Sequence, residues 1–285
     1  MSTLRVAAIQ MRSGTEIGRN LADVEALVRE AAGAGATYIQ TPEMTGALVR
    51  DKASLRAMIQ PQERDPVSQR AAELAAELSI HLHIGSTAIA LPDGKVANRA
   101  FLFSPQGRLA ATYDKIHMFD VDLDNGESWR ESATYEPGRE AVVAELPFGR
   151  MGLAVCYDLR FPQLFRAEAM AGAEILTVPA AFTRQTGEAH WHALLRARAI
   201  ENGAFVIAAA QGGTHEDGRE TFGHAMIVDP WGRIVAEADH DSPGVVLADI
   251  DLAQVAAARA KIPNLRNARD FEVTLAGAQA QSGVI

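Results

Sequence analysis

Three residues of this chain pair a reactive side chain with a place where a strand gives way to a loop. They are Glu43 in TPEM, Lys115 in YDKIHM and Cys156 in GLAVCYDLRFPQ. Cys156 is the only cysteine. It ends the apolar run Gly152–Val155 and precedes the polar stretch Tyr157–Arg160, with a helix expected from Phe161-Pro162. A cysteine kept for packing sits more naturally inside an apolar run. At a strand end before a helix, a thiol can face a cleft, and a helix N-terminus can stabilise its thiolate. Location favours a reactive thiol, with inert packing as the alternative.

A nucleophilic thiol requires a base. None of the eight histidines is marked out for that role. His190 and His192 lie two apart in an expected helix and point in different directions. His81 and His83 share one strand face, but no cysteine or carboxylate nearby completes a metal set, so they are read as structural or surface histidines. His117 and His224 stay as cleft candidates. Glu43 is the better base, because Pro42 sets it at the exit of an apolar strand; taken alone it also reads as a solvated loop residue. Lys115, flanked by aromatic and apolar residues, reads alone as an edge gatekeeper. Together the three form a coherent set. A carboxylate accepts the thiol proton, and a lysine stabilises the oxyanion formed when a thiolate attacks a carbonyl or nitrile carbon.

Other chemistry is not signalled. Gly33 and Gly35 follow a helix instead of opening one, and Gly212-Gly213 has no Lys-Ser or Lys-Thr after it, so no nucleotide loop is expected. No metal and no cofactor are expected. The formal net charge is −9 with no basic block, which argues against nucleic-acid binding. No apolar stretch approaches the roughly 20 residues that span a membrane. The N-terminus reads as a first strand and not as a signal peptide. One cysteine excludes an internal disulfide. The expectation is a soluble, cytoplasmic, acidic protein of 285 residues, long enough for a large core.

The elements that must position the three residues follow from periodicity. Strands are expected at residues 4–10, 36–43, 81–89, 99–104, 109–118, 141–146 and 151–158, and again at 174–180, 204–210, 222–229, 233–239 and 244–251. Helices are expected over about 20–34, 66–78, 161–172, 188–203 (with Gly203 as its cap) and 252–261. Residues 119–139 form a polar loop, long for a compact domain, and such loops are often functional. The simplest architecture is one α/β domain of two packed sheets with outer helices.

At this point TPEM, YDKIHMFDVD and GLAVCYDLRFPQL, in this order and strand context, resemble the nitrilase, or carbon–nitrogen hydrolase, superfamily from about Leu4 to Asp270. The resemblance implies an αββα sandwich, a single domain over 1–270 with a loose tail at 271–285, and pairing into homodimers or higher homo-oligomers through helices beside the site. It implies Glu43 as general base, Lys115 as oxyanion stabiliser and Cys156 as nucleophile. Glu131, in SWRESATYEPG, matches a second carboxylate that orients the lysine and the substrate. PAAFTRQTGEAHWHALLRARAIEN, AAAQGG and FGHAMIVDPWG resemble the deaminated glutathione amidase branch, whose neighbours are ω-amidases of 2-oxoglutaramate-type compounds. One departure is Met44-Thr45-Gly46, where many relatives place an aromatic residue.

The implied function is hydrolysis of a small carboxylate-bearing amide through a cysteine thioester, with release of ammonia and deaminated glutathione as the first substrate. An acidic protein binding such a substrate needs local cations. Arg160 and Arg184 are the candidates, with Thr183 as a hydrogen-bond donor and Tyr157 beside the nucleophile. Arg160 also reads as a helix-start residue and Arg184 as a solvated one. The alternatives are an ω-amidase, a nitrile or N-carbamoyl hydrolase by the same route, and, more remotely, a redox-sensing thiol protein, which would leave Glu43 and Lys115 without use.

Overall fold

The strands of this chain alternate between two buried faces. In the computed structural model, which describes residues 3–123, 126 and 128–275, Val6 and Ala8 of strand β1 (Leu4–Met11) point into one apolar core with Tyr38, Leu102, Leu153 and Leu176. Ala7, Ile9 and Met11 point the other way, into a second core with Val24, Val28, Val67 and Leu74. The first core lies between two sheets and the second lies under helices. A strand buried on both sides reads as a continuous apolar run, which is what "VAAI" is.

After β1 come α1 (Ile17–Gly33), β2 (Tyr38–Gln40), α2 (Lys52–Met58), α3 (Pro66–Leu78), β3 (His81–Ala90), β4 (Val96–Phe103) and β5 (Leu109–Asp114). A small hairpin follows, β6 (Asp120–Asp122) and β7 (Ser128–Arg130). Then come β8 (Val142–Leu146), β9 (Gly149–Leu153), α4 (Pro162–Met170), β10 (Ile175–Thr177) and α5 (Arg184–Asn202). The chain ends with β11 (Phe205–Ala208), β12 (Ala210–Thr214), β13 (Glu220–Phe222), β14 (Met226–Val228), β15 (Ile234–Glu237), β16 (Gly244–Ile250) and α6 (Ala253–Lys261). One sheet has the order β13-β12-β1-β2-β3-β4-β5, with β16 also antiparallel to β1; the other has the order β15-β14-β11-β10-β9-β8. Helices α1 and α3 cover the first sheet, and α4 and α5 the second, giving an αββα sandwich. Among the described residues no helix is long and apolar enough to cross a membrane.

The expected elements are present with several corrections. Helix α3 has the expected bounds, with Asp65 accepting from the Ser68 N–H at 2.7 Å as its cap and Pro66 in its first turn. Helix α2 was not expected; its seven residues carry one buried side chain, Leu55, so its apolar period is faint, although Asp51 caps it by accepting from the Ser54 N–H at 2.7 Å. Helix α5 starts at Arg184, not at Glu188. The runs expected as single strands over 204–210 and 222–229 are each divided: β11 and β14 lie in one sheet, β12 and β13 in the other. Residues 119–139 hold the β6–β7 hairpin and a 3₁₀ turn at Glu131–Ala133, though 124, 125 and 127 lie outside the described residues. In the expected tail, Phe271, Val273 and Leu275 are exposed, and 276–285 lie outside the described residues.

Gly85 on β3 packs against the chain after β2 and against Pro179 with no room for a side chain. A Cβ there would stand 2.2 Å from the Thr41 carbonyl oxygen, 2.7 Å from the Pro42 carbonyl carbon and 2.3 Å from the Pro179 Cβ. Two of those atoms are backbone and cannot swing aside. Gly85→Ala therefore forces apart the Thr41–Glu43 and Pro179 segments. We expect it to cost about 1–3 kcal/mol and to lower the calorimetric Tm by several degrees; an unchanged Tm would mean that this contact is not tight.

Candidate active site

Three strand ends and the turn after β7 bring their side chains to one place. Glu43 lies just past β2, Lys115 just past β5, Cys156 past β9 and Glu131 in the 3₁₀ turn. Glu43, Lys115 and Cys156 are buried, at 5%, 2% and 8% exposure. The Lys115 ammonium donates to Glu43 Oε1 at 2.9 Å and to Glu131 Oε1 and Oε2 at 3.0 and 2.9 Å. Asn98, on β4, donates to Glu43 Oε1 at 2.9 Å and to Glu131 Oε1 at 3.3 Å. The Ala181 N–H donates to the other Glu43 oxygen at 2.9 Å, and the Phe119 N–H to Glu131 Oε2 at 2.6 Å. The Cys156 thiol lies within reach of the charges of both Glu43 and Lys115.

The local backbone is bent to make this fit. Cys156 has φ +50°, a left-handed conformation uncommon for a residue with a side chain, and its N–H donates to the Pro179 carbonyl at 2.9 Å. The strand expected to run to Asp158 stops at Leu153 for this reason. Asp158, fully buried, holds the bend. Its Oδ2 accepts from the Val155 N–H at 2.9 Å and from the Tyr113 hydroxyl at 2.7 Å; its Oδ1 accepts from the His117 N–H at 3.0 Å and pairs with His117 Nδ1 at 2.7 Å. Tyr113 and His117 flank Lys115 by two residues on either side. One carboxylate thus ties the nucleophile's turn to the lysine's segment. His117 also stacks on Phe161 at 3.5 Å between ring centroids.

The electrostatics fix the protonation states. Burial alone pushes the Glu43 carboxyl up, but the Lys115 charge and the hydrogen bonds from Cys156, Lys115 and Asn98 outweigh it and hold the group below its ordinary 4.5. Burial pushes the Lys115 ammonium down, yet Glu131 and Glu43 hold it well above 10.5. Burial and the adjacent Glu43 charge push the Cys156 thiol well above 9.0, with Lys115 opposing. At neutral pH the resting set is a thiol, a carboxylate and an ammonium.

These groups line the inner end of a cavity of about 320 Å³. Of the residues expected to bind substrate, Tyr157 and Thr183 line it. Arg160 and Arg184 are not among its lining residues. Arg160 stacks over Phe182 at 5.1 Å and Tyr157 at 5.9 Å and approaches His190 Nδ1 at 3.3 Å. Arg184 donates to Asp241 at 2.8 Å. His224, the other cleft candidate besides His117, accepts from Trp191 Nε1 through its carbonyl and does not line the cavity. Met44 does line it, and the Tyr135 hydroxyl, at 4.0 Å from Met44 Sδ, brings an aromatic ring to that wall from elsewhere in the chain. The sequence reading missed Asn98, Asp158, Trp129 and the cavity cations Arg50 and Arg219.

A buried thiol, an ammonium and two carboxylates at the strand ends of an αββα sandwich define a hydrolase of the carbon–nitrogen bond type. The sequence profile of the carbon–nitrogen hydrolase family matches residues 5–260, and the chain belongs to that family. It is 41% identical over 272 residues to the deaminated glutathione amidase of Yersinia enterocolitica, covering 94% of each chain. It is 40% identical over 270 residues to that of Homo sapiens, covering 93% of this chain and 82% of the human one. In fold it resembles the C. elegans NitFhit protein, with a TM-score of 0.86 at 33% identity, over 94% of this chain and 66% of that one. It also resembles a variant of the amidase from Nesterenkonia sp. AN1 that carries the acetamide moiety of fluoroacetamide on its active-site cysteine, with a TM-score of 0.77 at 25% identity, over 93% and 94% of the two chains.

Asp158 offers a direct test of the geometry. Asp158→Asn turns an NH₂ toward N–H and O–H donors that the carboxylate accepted. We expect a loss of about 2–4 kcal/mol in denaturant unfolding and a changed rate of Cys156 alkylation by iodoacetamide in the folded protein. Wild-type values for both would mean that Asp158 does not hold this turn.

Proposed function

We propose that the chain hydrolyses a small carboxylate-bearing amide through a thioester on Cys156, with deaminated glutathione as its best substrate. The observation that carries this is the position of Lys115, between Glu43 and Glu131 and lining one cavity with the Cys156 thiol. The substrate comes from the names of the relatives and the cavity's cationic outer part.

Attack begins as Glu43 takes the Sγ proton. Sulfur bonds to the amide carbon and the carbonyl π electrons move to oxygen. Lys115 and the Tyr157 N–H hold that oxyanion. Glu43 returns its proton to the nitrogen, the C–N bond breaks, and an amine leaves a thioester behind. Glu43 then takes a proton from water, which attacks the thioester; the sulfur departs, is reprotonated by Glu43, and a carboxylic acid is released. Glu131 and Asn98 keep the ammonium and carboxylate in register throughout. The amine is ammonia for a primary amide. For deaminated glutathione, whose amide nitrogen belongs to its cysteine, it is cysteinylglycine, so the assay reads 2-oxoglutarate. The same reading has the protein as a cytoplasmic homodimer paired through helices beside the site; exposed Met170 on α4 and Ile200 on α5 support such a face. A redox-sensor role is disfavoured, because sensor thiols are accessible and acidic, whereas this one is buried and its acidity suppressed.

The test is turnover of deaminated glutathione, 2-oxoglutaramate, an aliphatic amide and a nitrile. Cys156→Ala should abolish activity, and full activity in it would sink the mechanism. The pH profile adds a second check. The base must be ionised, and the folded protein holds Glu43 below 4.5. The kcat/KM should therefore hold from neutrality down to about pH 5 and fall only below that. A fall centred above pH 6, with the fold intact by fluorescence, would exclude Glu43 as the base.

A further inference from the structure

The outer end of the cavity carries charges that this chemistry does not use. The Arg50 and Arg219 Cζ atoms each lie 4.6 Å from the ring centroid of Trp129, on β7. All three residues line the cavity, with Lys52 among them. The Arg219 side chain is only 16% exposed, and its Nε is buried without a hydrogen-bond partner among the described residues. Asp217 pairs with the Arg219 Nη2 at 3.5 Å, which offsets part of its charge but leaves the Nε donor unused. Arg50 is exposed and has no ion pair among the described residues. Arg130 does not join this group, because Asp122 holds it at 2.8 and 2.9 Å.

Two like charges gathered on one ring repel each other, and the partly buried one has lost water. A bound anion relieves both costs. The ring fixes the guanidinium planes, so little side-chain entropy remains to be lost on binding. The inner end of the same cavity has two carboxylates against one ammonium. An anionic group is therefore repelled from the inner end and drawn to the outer one. Tyr135 lines the same cavity. Burial raises its phenol, and the charges of Glu131, Arg219, Glu43 and Lys115 all act on it.

The direction of the substrate follows from the order of events. The acyl half stays on the buried Sγ. The amine half must depart before water enters, so it lies toward the open end, where Arg50 meets solvent. We infer that Arg50 and Arg219, braced on Trp129, bind a carboxylate carried on the amine half of the substrate, and that this subsite selects amides whose leaving amine ends in a carboxylate over primary amides. The inference rests on the thioester reading and names which half of the substrate is recognised.

The experiment compares deaminated glutathione with its C-terminal carboxamide, which differs only in charge at the amine end. The wild-type kcat/KM should favour the acid by roughly 10- to 100-fold. Arg219→Gln and Arg50→Gln should each shrink that ratio, mainly through KM, and Arg219→Lys should restore part of it. An unchanged ratio in both Gln variants overturns the subsite, as does an equal loss on the two substrates. Calorimetric titration of cysteinylglycine and cysteinylglycinamide into the Cys156→Ala protein needs no turnover and separates the two readings. Arg219-dependent preference for the acid, with no wild-type turnover of deaminated glutathione, upholds the subsite and fails the proposed substrate. Turnover without any charge preference overturns the subsite and leaves the substrate reading standing.

Discussion

The Lys115 ammonium is 2% exposed and sits 2.9 Å from each of two carboxylates. An unpaired ammonium at that depth would lose its proton or cost several kcal/mol. One carboxylate would neutralise it, but the second leaves a net negative charge that also needs neutral donors. The fold supplies them: the Ala181 N–H on Glu43, the Phe119 N–H on Glu131, and Asn98 on both. Each donor comes from a different segment. The ion cluster can form only if β2, β4, β5, the turn after β7 and the β10–α5 connection all end in the right place. The two-sheet sandwich satisfies that demand, because these strands run in register past one another and release their chains at a common edge.

A second buried carboxylate makes the arrangement rigid. Asp158 accepts from both neighbours of Lys115 in the alternating pattern and from the backbone before Cys156. The strained Cys156 residue, at φ +50°, is over-determined by this clamp and by the Pro179 carbonyl. Strain is thus placed beside the reacting groups: at Cys156, whose sulfur must project from the end of a strand, and at Met44, at φ +55°, which follows Glu43.

The legible part of this site was the part with a local signature. Glu43, Lys115 and Cys156 each follow an apolar strand, and a polar or reactive residue at such an exit stands out in a linear sequence. Asp158 and Asn98 do not stand out, because their partners lie at Tyr113, His117, Glu43 and Glu131, far away in sequence. Arg160 and Arg184 lie close to Cys156 and Thr183 along the chain. In space, Arg160 is drawn onto Phe182, and Arg184 falls inside α5 and reaches Asp241. The cavity's actual cations come from the segment before α2 and the turn before β13, neither of which carries a motif. The sheet exchange at Ala209 was hidden for a similar reason. Both β11 and β12 are buried, so the apolar run continues unbroken across the point where the chain changes sheets.

The protonation states explain how such a site can hold a nucleophile without squandering it. A thiolate at rest would react with oxidants and alkylating agents in the cavity. Here burial and the adjacent carboxylate keep the sulfur protonated. The base that could remove its proton is itself held below the ordinary carboxylate range by Lys115, so proton transfer in the empty site is uphill. An amide carbonyl placed against the ammonium changes the balance. As negative charge develops on its oxygen, Lys115 turns its field from Glu43 toward the new oxyanion, and Glu43 becomes the stronger base at the moment the proton must move. Reactivity is thereby tied to occupancy, and the same lysine that holds the resting site together releases its chemistry.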